Sequence, residues 1–345
     1  MDILFMIGNG FDLNVGLNTR FSDFINHYLK IQNTDSRIIR FKEDINKNLD
    51  KWADAEVMLG QYTANYKAGD EDDFIYCLKD FRENLSRFLR TEEKRIDYNL
   101  YIDDIISVFT QSISNFHMYF PPARRNSIIA AKKSFQHEKW TYNFITYNYT
   151  GVLSKCIKVI RGSKQPVGVH SYSTSTFHDD IGQVIHIHGT VNKSMILGVD
   201  NEDQIQNEEF SSNRKFTKRF LKPSVNQGLK TLYESNASDL INKSRIICIF
   251  GMSLGETDLT WWKQVSFWLQ KDKGRQLLIF VRDDDWNELN PEDSFAQEEA
   301  VWERFFRLTG IPEDLHELLG ERIHVAVNAD IFKIDLTERI SISNS

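Results

Sequence analysis

The chain has 345 residues, a net charge of −7 and three cysteines, and is rich in Phe, Tyr and Trp. That length suits one large domain or two small ones with a sizeable core, and the acidic balance disfavours a general nucleic-acid surface. The composition is globular rather than disordered. Cys77, Cys156 and Cys248 are far apart, odd in number and free of any Cys-x-x-Cys spacing. A zinc ribbon is therefore excluded, a disulfide framework is disfavoured, and each thiol reads as a small buried apolar residue. No apolar run reaches membrane-spanning length, and the N-terminus begins as an acidic strand rather than a basic signal peptide. A cytoplasmic protein with no membrane partner is expected.

Residues 3–7, Ile-Leu-Phe-Met-Ile, form an apolar run suited to one buried strand. Gly8, Asn9, Gly10, Phe11 and Asp12 follow, then Gly16 and Leu17. A strand, a glycine turn and a helix start make a phosphate-binding opening, because the turn lets a ligand approach backbone N–H groups. The glycine spacing is not G-x-G-x-x-G, so a ligand-free tight turn stays open as the alternative. Asn18 or Thr19 is expected to cap a helix bearing Phe21, Phe24, Ile25 and Tyr28.

Residues 35–117 read as amphipathic helices, with stripes at Phe74, Leu78, Phe81, Leu85 and Phe88 and at Ile102, Ile105, Ile106, Phe109 and Ile113. They are expected to form a helical insertion after the first strand–helix unit. Trp52, Asp54 and Glu56 face a ligand or belong to an ordinary acidic helix start. Residues 121–139 carry Arg124, Arg125, Lys132 and Lys133 and read as a basic surface loop.

Residues 144–147 form the next strand, ending in Asn148, Tyr149 and Thr150. Asn148 sits where open α/β sheets bind ligands, or it caps the following helix. A short strand is expected at 167–169 and a clearer one at 184–188, Val-Ile-His-Ile-His, with 195–198 pairing as a hairpin. Alternation puts His186 and His188 on one face. His188, beside Gly189, is the better placed for chemistry, and no remaining metal ligands are evident. Residues 201–222 read as a loop entering a helix, and 223–243 as helix. Strands at 246–250, 277–281 and 323–327 follow, with helices carrying Trp261, Trp262, Val265 and Trp268 and spanning 296–308. The turn from Gly251 to Asp258 repeats the opening logic, with Thr257 or Asp258 as cap. Alternating strand and helix predicts a parallel sheet covered on both faces.

Four segments together resemble the AbiH family of bacterial abortive-infection proteins: Gly8 to Asp12 with Gly16 and Leu17, Trp52 to Glu56, Tyr147 to Thr150, and Gly251 to Asp258. Asn18 stands where that family has proline. More distantly, the arrangement is similar to the sirtuin-like NAD-binding superfamily. That likeness implies a Rossmann-like parallel sheet formed by residues 1–34 and 118–345, with 35–117 inserted. It implies Asn148 and His188 as the catalytic pair. Gly8, Asn9, Gly10, Phe11, Asp12, Gly16, Gly189, Gly251, Ser253, Leu254 and Asp258 would lie around a bound NAD, with no metal. Thr150 replaces an acid of that superfamily, and the deacylase ribbon cysteines are absent. The function implied is an antiphage effector hydrolysing NAD at its nicotinamide–ribose bond. It answers an unknown phage trigger, and a homo-oligomer is compatible with it. Two alternatives are a nucleotide sensor gating a partner, and a metal-dependent nuclease using His186, His188, Asp179 and Asp180.

Overall fold

A computed structural model describes residues 1–287 and 289–337, with backbone alone at 291, 293 and 294. Residues 338–345 of the expected α/β domain lie outside the described residues. The first apolar run forms β1 (Asp2–Ile7), which lies at the middle of the sheet. It pairs in parallel with β2 (Thr141–Thr146) on one side and β5 (Ser244–Phe250) on the other. Beyond β2 come β4 (Ser175–His186) and the edge strand β3 (Gly168–Tyr172); beyond β5 come β6 (Gln276–Val281) and β7 (Ile323–Val327). The order is β3-β4-β2-β1-β5-β6-β7, parallel except for the β3–β4 hairpin. The fold is thus mixed α/β around a seven-stranded, mostly parallel sheet.

The alternation of β1 feeds two separate cores. Ile3, Phe5 and Ile7 pack with α1 (Gly10–Asn14), α6 (Ile102–Ser114), α7 (Pro122–Lys133) and α8 (Val152–Gly162). Leu4 and Met6 pack with α12 (Tyr233–Lys243), α13 (Leu259–Lys271), α14 (Pro291–Thr309) and α15 (His316–Gly320). Strands buried on both faces read as continuous apolar runs, which is why β1, β5 and β6 were legible.

A third core is mostly helical, with Val191, Leu197 and Val199 added from the chain after β4. It joins α2 (Phe21–Tyr28), α3 (Ser36–Asn46), α4 (Ala55–Tyr62) and α5 (Glu71–Glu93) to α9 (Glu208–Ser212) and α10 (Arg214–Phe220). Helix α6 does not join it: Ile105, Phe109 and Ile113 face the sheet. The three cysteines are buried and unpaired.

Several local expectations change. The basic stretch at 121–139 is mostly the helix α7, opened by Pro122 in its first turn. Its Lys132 is buried over the rings of Phe116 and Trp140, and Arg124 pairs with Glu298, so neither is a free surface cation. Neither Asn18 nor Thr19 caps α2. The cap residue is Arg20, whose N–H donates to Asp23, while the Thr19 hydroxyl donates to Asn9 Oδ1 at 2.6 Å. Strand β4 begins at Ser175, earlier than the apolar run suggested, because its first half lies at the sheet margin and stays polar. Residues 195–198 form no strand. The helix expected over 223–243 breaks into α11 (Lys222–Gly228) and α12, with Lys230 in the left-handed region.

The turns after β1 and β5 touch backbone to backbone. Gly8 N–H donates to Phe250 O, and Gly10 N–H to Gly251 O, at 2.9 and 2.8 Å. Gly251 has φ +68°, and a Cβ on Gly10 would stand 2.5 Å from Gly251 Cα. Gly10→Ala is therefore expected to cost about 1–3 kcal/mol of stability by overpacking, read as a lowered denaturation midpoint at unchanged m-value.

Candidate functional site

The carboxyl ends of β1, β2, β4 and β5 converge, and the loops that follow them enclose a cavity of about 360 Å³. Chain direction diverges here, since β2 and β5 flank β1 on opposite sides, and such crevices are where open α/β sheets take ligands. The helical core forms the other wall through Arg20, Asp54, Glu56, Leu85 and Leu89.

Asp12, on α1, is fully buried at the floor. The Thr150 hydroxyl donates to its Oδ2 at 2.6 Å, and Oδ1 has no partner. Burial pushes its carboxyl up to about 7, while the Thr150 hydroxyl and the nearby Asn148 amide pull the other way. Asn148 follows β2 and is 6% exposed, yet both atoms of its side-chain amide lack a hydrogen bond of good geometry. It caps nothing: α8 starts at Val152 after Gly151. Buried polar groups are nearly always satisfied, so three orphaned atoms on neighbouring residues mark a place for a polar ligand.

His188 lies just past β4. Its Nε2 is 3.3 Å from Asp258 Oδ1, and its buried Nδ1 has no protein partner. Asp258 stands at the cap position of α13, but its side chain makes no capping bond. Burial opposes its ionisation, yet the Lys222 ammonium and the His188 imidazole hold it below its usual value. An ionised Asp258 assigns the proton to Nε2 and leaves Nδ1 as the open lone pair.

Lys222 ties this pair to the helical wall. It is 2% exposed, donates to Glu56 Oε2 at 2.5 Å and to Thr257 O at 3.2 Å, and lies 3.9 Å from Asp258. Glu56 in turn accepts from the Tyr149 hydroxyl at 2.5 Å. A lysine in the first turn of α11 opposes the helix dipole, so these two carboxylates are what hold it there.

Of the residues singled out in the sequence, Gly8, Asn9, Asp12, Asn148, His188, Gly251, Ser253 and Asp258 meet in this cavity. Asp54 also lines it, but caps α4 by accepting from Val57 N–H. Trp52 is buried in the helical core. Phe11 and Leu254 are core residues, and Gly16 backs onto Asp335 and Thr337. Gly10 lines an adjoining cavity, and Gly189 a third one with His186. The four proposed nuclease residues are not gathered. Asp180 registers with Thr141 at one end of β2, and His186 with Thr146 at the other; Asp179 binds Trp140 N–H and His170. Among the described residues no cluster of His, Cys, Asp or Glu could hold a metal ion. Lys222 went unnoticed in the sequence. Its one signal is a lone cation between Phe220-Leu221 and Pro223, at the start of a helix.

The molecule is thus an α/β protein with a polar pocket at the strand ends, half walled by helices. The model of the family described as "Bacteriophage abortive infection AbiH" matches residues 4–280, and the chain belongs to that family. No curated protein matches it. Among the described residues no helix is long and apolar enough to cross a membrane.

Two outcomes follow. Lys222→Met leaves Glu56 and Asp258 facing each other without a cation, and is expected to cost about 3–5 kcal/mol; adding Glu56→Gln should recover much of it in a denaturant double-mutant cycle. Asp12 holds its proton to about pH 7 when folded, but releases it near its usual value of 3.8 when unfolded. Between those values the unfolded state binds fewer protons, so stability falls as pH rises from about 4 to 7, by roughly 3–4 kcal/mol. Asp12→Asn should remove that slope.

Proposed function

We propose that this abortive-infection protein hydrolyses NAD at the nicotinamide–ribose bond, with Asn148 and His188 as the catalytic pair. The observation that carries the reading is the pair of buried, unpartnered groups facing one pocket: the Asn148 amide and the His188 Nδ1 lone pair. As the C1′–N bond breaks, positive charge builds on the ribose and nicotinamide leaves as a neutral molecule, so no acid is needed for departure. Water then bonds to C1′ and passes a proton to Nδ1, giving ADP-ribose; Asp258 holds the ring in that tautomer. Asn148 orients the ribose or the water. Thr150 stands where the sirtuin-like superfamily has an acid, and Asp12, bound to its hydroxyl, supplies a carboxyl to the same spot.

The Rossmann-like, sirtuin-like assignment is supported by the six parallel strands, whose order β4-β2-β1-β5-β6-β7 has the pattern of dinucleotide-binding sheets. The second nucleotide half fits an adjoining cavity of about 310 Å³, which shares Arg20 and Gly251 with the first. In this reading residues 1–34 and 118–345 bind the dinucleotide in the cytoplasm. The 35–117 insertion walls the pocket, its core completed by residues from 191–221, and no metal takes part.

The test compares wild type with His188→Ala during phage infection, reading cellular NAD, then repeats the comparison with purified protein. Wild type is expected to deplete NAD with protection, and the variant to lose about 10²–10⁴-fold in rate. Protection with NAD bound and recovered intact would assign the pocket to a sensor instead.

A further inference from the structure

His186 and Gly189 face away from the pocket just described, into a separate cavity of about 640 Å³ on the other side of the β4 end. There His186 Nε2 lies 2.6 Å from Ser154 Oγ, the third residue of α8. Both line the cavity, together with Arg161, Thr190, Lys193 and Tyr233. We propose that Ser154 and His186 form a second site, a nucleophilic serine with its general base, that takes an acyl ester carrying negative charge.

A serine hydroxyl is a weak nucleophile until a base stands within hydrogen-bond reach, and 2.6 Å meets that condition. Burial lowers the affinity of the His186 ring for a proton, while the main-chain carbonyl of Asn148 and the charge of Glu93 work against that effect. Nδ1 of this ring is buried without a hydrogen-bond partner among the described residues, and a neutral ring that keeps its proton there offers its Nε2 lone pair to Ser154. The cations set the substrate class. Lys193 is exposed on the wall and forms no ion pair among the described residues, and Arg161 donates to Gly182 O beside it. An acyl group with a carboxylate tail would meet both.

The step balances without a further reactant. Ser154 Oγ bonds to the acyl carbon and its proton moves to His186 Nε2. The ester C–O bond breaks and the leaving oxygen takes that proton. Water, deprotonated by the same nitrogen, then releases the acid and restores the hydroxyl.

The test uses the whole protein and an alkyl fluorophosphonate, which phosphonylates activated serines with loss of fluoride. One adduct is expected, mapped by mass spectrometry to Ser154, absent in Ser154→Ala and formed at least 100-fold more slowly in His186→Gln. Labelling elsewhere, or at an unchanged rate in folded His186→Gln, would overturn the proposal. Should His186→Gln fail to fold, Ser154→Cys replaces it. Its thiol is expected to react with iodoacetamide at pH 7 at least tenfold faster than a free cysteine, since an adjacent imidazole favours thiolate; a rate no faster would overturn the pairing. Hydrolysis of 4-nitrophenyl hemisuccinate is expected to exceed that of 4-nitrophenyl butyrate at least fivefold, with Lys193→Gln abolishing the preference. Equal rates in wild type would overturn the substrate class.

Discussion

The backbone contact between the turn after β1 and the turn after β5 is the constraint on which the rest depends. Gly10 and Gly251 approach so closely that neither tolerates a Cβ, and Gly251 adds a left-handed φ. Two reciprocal tight turns at the centre of the sheet force the chain away from β1 in opposite directions. One cavity then opens on the β2 side and another on the β6 side, and both share Gly251. The pocket is where it is because two strands end at the same height with no side chains between them.

What the glycines position, a buried ionic chain holds in place. Tyr149, Glu56, Lys222, Asp258 and His188 come from five separate parts of the sequence. Such pairs contribute little net stability against their desolvation, but removing one member leaves a charge buried alone. Their effect here is geometric. Glu56 belongs to the helical wall and Asp258 to the turn that leads from β5 into α13, so Lys222 registers one against the other across the pocket. The imidazole at the end of the chain receives its orientation from this registration.

The two histidines of the Val-Ile-His-Ile-His run divide at the point where β4 ends. Up to His186 the strand alternates as a strand must. Past it the chain turns, and His188 enters the pocket with Asp258 while His186 remains with Ser154 on α8. Strict alternation, applied across a strand end, had placed both on one face.

The sequence by itself determined the parallel sheet's inner strands, the glycine turns, the aromatic helix stripes, the family, and Asn148 and His188 as polar residues at strand ends. Those features are local: an apolar run, a missing Cβ and a helical period each act within a few residues. Tertiary structure alone decided the rest. Whether Asp258 caps a helix or bonds an imidazole depends on where His188 lies, 70 residues away. Lys222 looks like a surface cation until Glu56, 166 residues earlier, is folded against it. The basic stretch near Lys132 reads as solvated until Phe116 and Trp140 close over it. In each case a charged or polar side chain has several acceptable environments, and only the long-range packing of the chain selects one.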